Sequence, residues 1–119
     1  MLKLCRINIE RSGEIFKKIE AYVQEVVENL NPYLVILFGS FATNNINEGS
    51  DVDILVVADF REGFLDRIRR LMDMNKLGIP VEPVGYTLEE FREMKRKKNP
   101  FVLEVLEKGK VMYRRRHLI

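Results

Sequence analysis

Two apolar runs with a polar interval between them decide how this chain reads: Tyr33-Leu34-Val35-Ile36-Leu37-Phe38, then Gly39-Ser40-Phe41-Ala42, and then Gly49-Ser50-Asp51-Val52-Asp53-Ile54-Leu55-Val56-Val57-Ala58. Both runs are short, β-branched and almost free of polar residues, as expected of strands buried on both faces. The residues between them are rich in Gly, Asn and Thr, which predicts a loop with room for one helical turn. A Gly-Ser pair directly after a buried strand makes a turn with no Cβ in the way and a hydroxyl beside it. Backbone N–H groups of such a turn can cradle phosphate oxygens. Asp51 and Asp53 stand two apart on the second strand, so they project from one face. Adjacent carboxylates repel each other in a dry core, but at a strand end beside a cleft they suit a hard divalent cation.

Working outward, Ile15, Ile19, Tyr22, Val23, Val26, Val27 and Leu30 recur at helical spacing. Ser12 is placed to cap that helix and Asn31-Pro32 to end it. Upstream, Leu2, Leu4, Ile7 and Ile9 read as a short extended segment. After the second strand, Phe64, Leu65, Ile68, Leu71 and Met72 form one face of an amphipathic helix from Phe64 to about Leu77. Asp66, Arg67, Arg69 and Arg70 fall largely opposite, and Gly78 stops the helix. Ile79 to Tyr86 is a third strand candidate whose Pro83 argues for an edge position or an irregular strand. Thr87 with Glu90 is a capping box for a helix to about Lys98. Asn99-Pro100 starts another helix that Gly109 closes, and Lys110 to Tyr113 is a final short strand. Strands separated by helices give an α/β or α+β class.

The chain has 119 residues and a formal charge of +2. That size suits one domain spanning 1–119 with its core from about 12 to 113, and leaves no global field to attract nucleic acid. The basic runs Lys95 to Lys98 and Arg114 to Arg116 lack interleaved aromatics, so they read as solvated ends, and nucleic-acid binding is not expected. Cys5 is the single cysteine and His117 the single histidine. No internal disulfide is possible, Cys5 reads as a small apolar residue and His117 as surface. No apolar run is long enough to span a bilayer, so the expected location is the cytoplasm. There is no GxxxxGK[ST] phosphate loop.

A third carboxylate should come from a neighbouring strand, and Glu82 is the only acid within Ile79 to Tyr86. Asp59 shares the parity of Asp51 and Asp53 but lies some ~20 Å further along, too far to share their metal.

The pattern Gly39-Ser40-x-Ala42 with Ser50-Asp51-x-Asp53 resembles the nucleotidyltransferases of the DNA polymerase beta superfamily. The length resembles the minimal nucleotidyltransferase branch, whose members are often paired with a HEPN-domain protein. The resemblance implies a nucleotidyltransferase fold, a small mixed sheet packed with helices, and transfer of AMP or another nucleotide from a triphosphate such as ATP to a hydroxyl. It implies that Asp51, Asp53 and Glu82 are catalytic and hold two Mg²⁺ ions, and that Gly39, Ser40 and Ser50 contact the nucleotide. Where many relatives carry Arg-Gly after the alanine, this chain has Thr43-Asn44. Its third acid is a glutamate followed by proline, where aspartate is common. The acceptor implied is a HEPN-type toxin partner, with this chain as the antitoxin of a toxin–antitoxin pair. The alternatives are an antitoxin that occludes its partner with an idle site, and transfer to a small molecule. Apolar residues such as Phe64, Leu71, Phe91, Met94, Phe101 and Leu106, if left exposed, would mark a partner or homodimer surface.

Overall fold

A computed structural model of the chain describes residues 2–43, 46 and 49–115, with only the backbone described over 2–12. The element order is α1 (Leu2–Leu30), β1 (Leu34–Phe38), α2 (Ser40–Thr43), β2 (Val52–Val57), α3 (Phe64–Asp73), β3 (Val81–Tyr86), α4 (Leu88–Arg96), α5 (Pro100–Lys108) and β4 (Lys110–Arg114). The strands form one mixed sheet in the order β3-β2-β1-β4. β1 runs antiparallel to β2 and β4, whereas β2 and β3 are parallel. Pro83 therefore lies on an edge strand, where a missing N–H costs least.

Alternation along the strands splits the core into two layers. Val35, Leu37, Val52, Ile54 and Val56 face α1 and α3, packing with Ile19, Tyr22, Val26 and Leu71. Leu34, Ile36, Leu55 and Val57 face the other way, onto Phe91 of α4 and Val102 and Val105 of α5. Covering both faces with helices is what makes β1, and β2 apart from Asp53, apolar at every position. The Tyr22 hydroxyl donates 2.7 Å to the Leu71 carbonyl and pins α1 to α3. Burial raises its phenol pKa.

Helix ends follow local chemistry. Thr87 and Glu90 form the reciprocal capping box that opens α4, and the Asn99 side chain accepts from Val102 N–H to open α5 with Pro100 in its first turn. Gly109 ends α5. Its backbone lies so close to β1 that a Cβ there would stand 2.6 Å from Ile36 Cγ2 and 3.2 Å from the Leu37 carbonyl oxygen.

Three expectations are corrected. Leu2 to Ile9 is not extended: the backbone is helical from Leu2, so Ser12 lies inside α1 rather than capping it. Extending an existing helix adds one hydrogen bond per residue without a new nucleus, and nothing in 2–12 breaks it. The helix at Phe64 ends at Asp73, and β3 begins at Val81, because the Asn75 side chain bonds both the carbonyl and the N–H of Ile79 and folds the intervening residues into a turn. The third correction is the face that α3 buries. Arg67 is buried beside Leu71, while Phe64, Leu65 and Met72 are exposed, Leu65 by 75%. Arg67 is held by acceptors rather than by solvent. Nε donates to the Glu62 carbonyl at 2.8 Å, Nη1 to the Gly85 carbonyl at 3.1 Å and to Glu90 Oε1 at 2.7 Å. Its guanidinium also lies over the Phe60 ring. Of the other residues flagged as candidates for exposure, Phe101 and Leu106 are exposed and Leu71 and Phe91 are buried. His117 and the side chain of Cys5 lie outside the described residues.

Candidate functional site

The site lies where β1 ends and β2 begins, on the face covered by α5. The ladder places Phe38 opposite Asp53, and Asp53 opposite Glu82. One row across three strands thus carries an aromatic and two carboxylates on the same side of the sheet, with Asp51 just before β2. Asp51 and Glu82 are exposed and Asp53 is half-buried.

Gly39 follows directly on β1 with φ +74°, in the left-handed region that glycine tolerates. A Cβ at this position would overlap Asp53 Oδ2 and stand 3.1 Å from Asp53 Cγ. The absent side chain is therefore the space that the Asp53 carboxylate fills. The Gly39 carbonyl accepts from the N–H groups of Ala42 and Thr43, forming the single turn of α2, which Ser40 opens. Ser50, at the far end of the loop, is itself engaged by a neighbour.

The three carboxylates act on one another electrically. The charge of Asp51 is the main cause holding the Glu82 pKa above the ordinary carboxylate range. A hydrogen bond from protonated Glu82 to Asp51, partial desolvation and the charge of Asp53 push the same way. Burial raises the Asp53 pKa, and Asp51 adds to it. Among the described residues no three His, Cys, Asp or Glu side chains close into a complete metal cage. Asp51 acts most strongly on Glu82, and the Asp53 charge adds a smaller push. Such an open, over-negative cluster fits Mg²⁺, which keeps several waters and takes one or two carboxylates together with substrate phosphates.

Two clefts meet at Asp53. One, of about 420 Å³, is lined by Gly39 and Thr43 on one side and by Glu104, Val105 and Lys108 of α5 on the other. The second, of about 490 Å³, is mostly apolar and runs between Ile68 and Met72 of α3 and Glu82, Pro83 and Val84 of β3. Phe38 and Phe101, packed edge to face at 5.4 Å, stand with Asp53 in the walls of both.

This arrangement is matched by known proteins. The family model described as polymerase beta, nucleotidyltransferase aligns with residues 17–118. The chain belongs to the polymerase beta nucleotidyltransferase family. A curated relative named "putative protein adenylyltransferase", from Methanocaldococcus jannaschii, is 35% identical over 80 residues, covering 66% of this chain and 76% of that protein. Among solved structures, a protein described as a "putative nucleotidyltransferase" from Sulfolobus solfataricus superposes with TM-score 0.65 at 20% identity, over 92% of this chain and 88% of its own. A toxin–antitoxin complex with AMP-PNP superposes with TM-score 0.54 at 22% identity, over 82% and 74% of the two chains. At these identities the two structures speak for a shared nucleotidyltransferase fold. The α/β class and the mixed sheet read from the sequence agree with that fold.

Of the residues singled out from sequence, Asp51, Asp53, Glu82 and Gly39 come together here. Ser40 and Ser50 bound the same loop. The stripe Phe101, Glu104, Val105 and Lys108, which walls the first cleft, was not singled out as a site. The last three follow Phe101 by three, four and seven residues, which gives a helical face, but sequence alone does not show that α5 lies over the Gly39 turn.

Proposed function

We propose that this nucleotidyltransferase moves a nucleoside monophosphate, with AMP as the first choice, from a triphosphate to a hydroxyl on a protein partner. The described residues work as one unit in this reading, with a core from about 12 to 113. The observation that carries it is the row Asp53–Glu82, with Asp51 immediately before β2 and the side-chain-free Gly39 packed on the Asp53 carboxylate.

The triphosphate is held with its phosphates at the Gly39-Ser40 turn, Ser50 contributing from the loop's far end. Asp51, Asp53 and Glu82 would hold two Mg²⁺ ions, which when bound offset the charge of the phosphates and of the attacking oxygen. The acceptor oxygen bonds to the α-phosphorus in line, and the bond from that phosphorus to the β-bridging oxygen breaks. Pyrophosphate leaves with the electron pair. The acceptor proton passes to Glu82 and from there to water. Positioning and fixed charge are the protein's main contributions.

The choice of acceptor rests on two supports. The M. jannaschii relative carries the name of a protein adenylyltransferase, and the toxin–antitoxin neighbour was solved with AMP-PNP. In addition, the two helices that wall the clefts carry exposed apolar side chains, Phe64, Leu65 and Met72 on α3 and Phe101, Leu103 and Leu106 on α5, as a protein-facing surface requires. A HEPN-domain toxin is the proposed partner, and this chain its antitoxin. Incubation with Mg²⁺, such a partner and ATP labelled at either the α- or the γ-phosphate tests the reaction. Label reaching the partner from the α position alone is the expected result. Label from the γ position, or none from either, contradicts it.

A further inference from the structure

We propose that Lys108 binds the β- and γ-phosphates of the nucleoside triphosphate and so stabilises the departing pyrophosphate. The inference rests on the nucleotidyl-transfer reading and adds to it a contact outside the Gly-Ser and carboxylate pattern. Four observations carry it.

The loop from Ser40 to Ser50 contains no lysine or arginine. A triphosphate held there would meet Asp51, Asp53 and Glu82 with no side-chain cation on its own loop. Among the described residues Lys108 is the only cation lining either of the two clefts that meet at Asp53, and it lines the one that carries Gly39. Lys108 makes no ion pair among the described residues, so its ammonium is not already neutralised. Its place in the fold is also set. The next residue, Gly109, lies against Ile36 and Leu37, and Lys110 pairs with Leu37 in the sheet. Lys108 therefore stands beside the strand that delivers Gly39. Lys110 cannot substitute, because its ammonium lies over the Phe16 ring of α1 on the other layer.

Glu104 lies one turn earlier on the same face of α5 and lines the same cleft. Its charge makes the two ends of the cleft unlike, and draws a polyanion to the Lys108 end. A flexible lysine at the C-terminal turn of a nine-residue helix can follow the charge as it moves from the β-bridging oxygen onto pyrophosphate.

The test uses the wild-type chain, Lys108→Gln and Lys108→Arg, with Mg²⁺ at fixed ionic strength. Equilibrium dialysis of labelled AMP-PNP reads triphosphate affinity, and displacement of the label by AMP reads contacts up to the α-phosphate. The variants are exposed substitutions, and circular dichroism confirms their fold. Lys108→Gln is expected to weaken AMP-PNP binding about tenfold, the scale of one charged hydrogen bond. Lys108→Arg should stay near wild type, and AMP displacement should be unchanged in both. Equal AMP-PNP affinity in wild type and Lys108→Gln overturns the proposal while leaving nucleotidyl transfer intact. So does an equal weakening of AMP and AMP-PNP. A wild-type chain that binds no AMP-PNP overturns the nucleotidyl-transfer reading, and this inference with it.

Discussion

Gly39→Ala separates what the fold needs from what the site needs. At φ +74° an alanine is strained by about 1–2 kcal/mol, the cost of the left-handed region for a residue with a Cβ. For a domain of this size that lowers Tm by roughly 3–8 °C. The second effect is local. The new Cβ would overlap Asp53 Oδ2, and restoring ordinary contact requires the carboxylate to retreat by roughly 1 Å. Moving a short, half-buried carboxylate that opens onto two clefts costs little stability, but a displacement of that size at a reacting centre costs on the order of 10²-fold in rate. Gly39→Asn isolates the second effect, because asparagine tolerates positive φ yet still carries the Cβ. Thermal unfolding and transfer of α-label should thus diverge. The alanine variant loses both stability and activity, whereas the asparagine variant keeps most of its stability and loses activity. A folded Gly39→Asn that transfers label at more than about a third of the wild-type rate refutes the reasoning, the threshold being set far above the 10²-fold loss.

Two further predictions concern charge. Asp53 and Glu82 both have folded pKa values above their ordinary range, so between the ordinary and raised values the folded chain holds more protons than the unfolded one. Their contribution to stability is thus greatest on the acid side and falls as pH rises through that window. In metal-free buffer near neutral pH, Glu82→Gln should raise Tm and Mg²⁺ should raise the wild-type Tm more than the variant's; a variant less stable than wild type contradicts this. For the buried arginine, Arg67→Leu removes the Arg67 donors from the Glu62 and Gly85 carbonyls and leaves Glu90 with the Thr87 N–H alone, at a cost of about 2–3 kcal/mol in urea unfolding, discounted for the half-exposed Glu90. The Arg67 hydrogen bond is the main cause lowering the Glu90 pKa, so this support is present above the ordinary carboxylate range and lost as pH falls through the lowered value. The acid-side loss of stability should therefore be shallower in Arg67→Leu, and identical slopes would show that the pair does not contribute it.

The sequence was most legible where one local rule decides the outcome. β1, and β2 apart from Asp53, are apolar because helices cover both faces of the sheet. Thr87 with Glu90, and Asn99 with Pro100, carry their own capping chemistry and open α4 and α5 as expected. Bringing Asp53 beside Glu82 needed only the parity of two strands and their adjacency. Long-range partners were not legible. Arg67 is charged and sits among other arginines, so a periodicity count assigns it to water. It is buried because Glu62, Gly85 and Glu90, distant in sequence or in other elements, supply acceptors for it. Lys108 likewise looks like an ordinary basic residue at a helix end. Its significance comes from the packing of Gly109 on β1, which places it over the cleft. The start of α1 was missed because alternation over a few residues mimics a strand, while an adjoining helix can extend through the same residues at little cost.

The central claim is that the Asp51, Asp53 and Glu82 cluster performs nucleotidyl transfer, and a single-turnover comparison of wild type with Asp53→Asn tests it most directly. Both proteins are pre-loaded with Mg²⁺ and α-labelled ATP and mixed with the HEPN-domain partner, and label on the partner is followed in time. The account predicts a labelled partner from wild type and none from Asp53→Asn over the same interval, with Asp53→Asn still folded. A partner labelled by Asp53→Asn at the wild-type rate would contradict it.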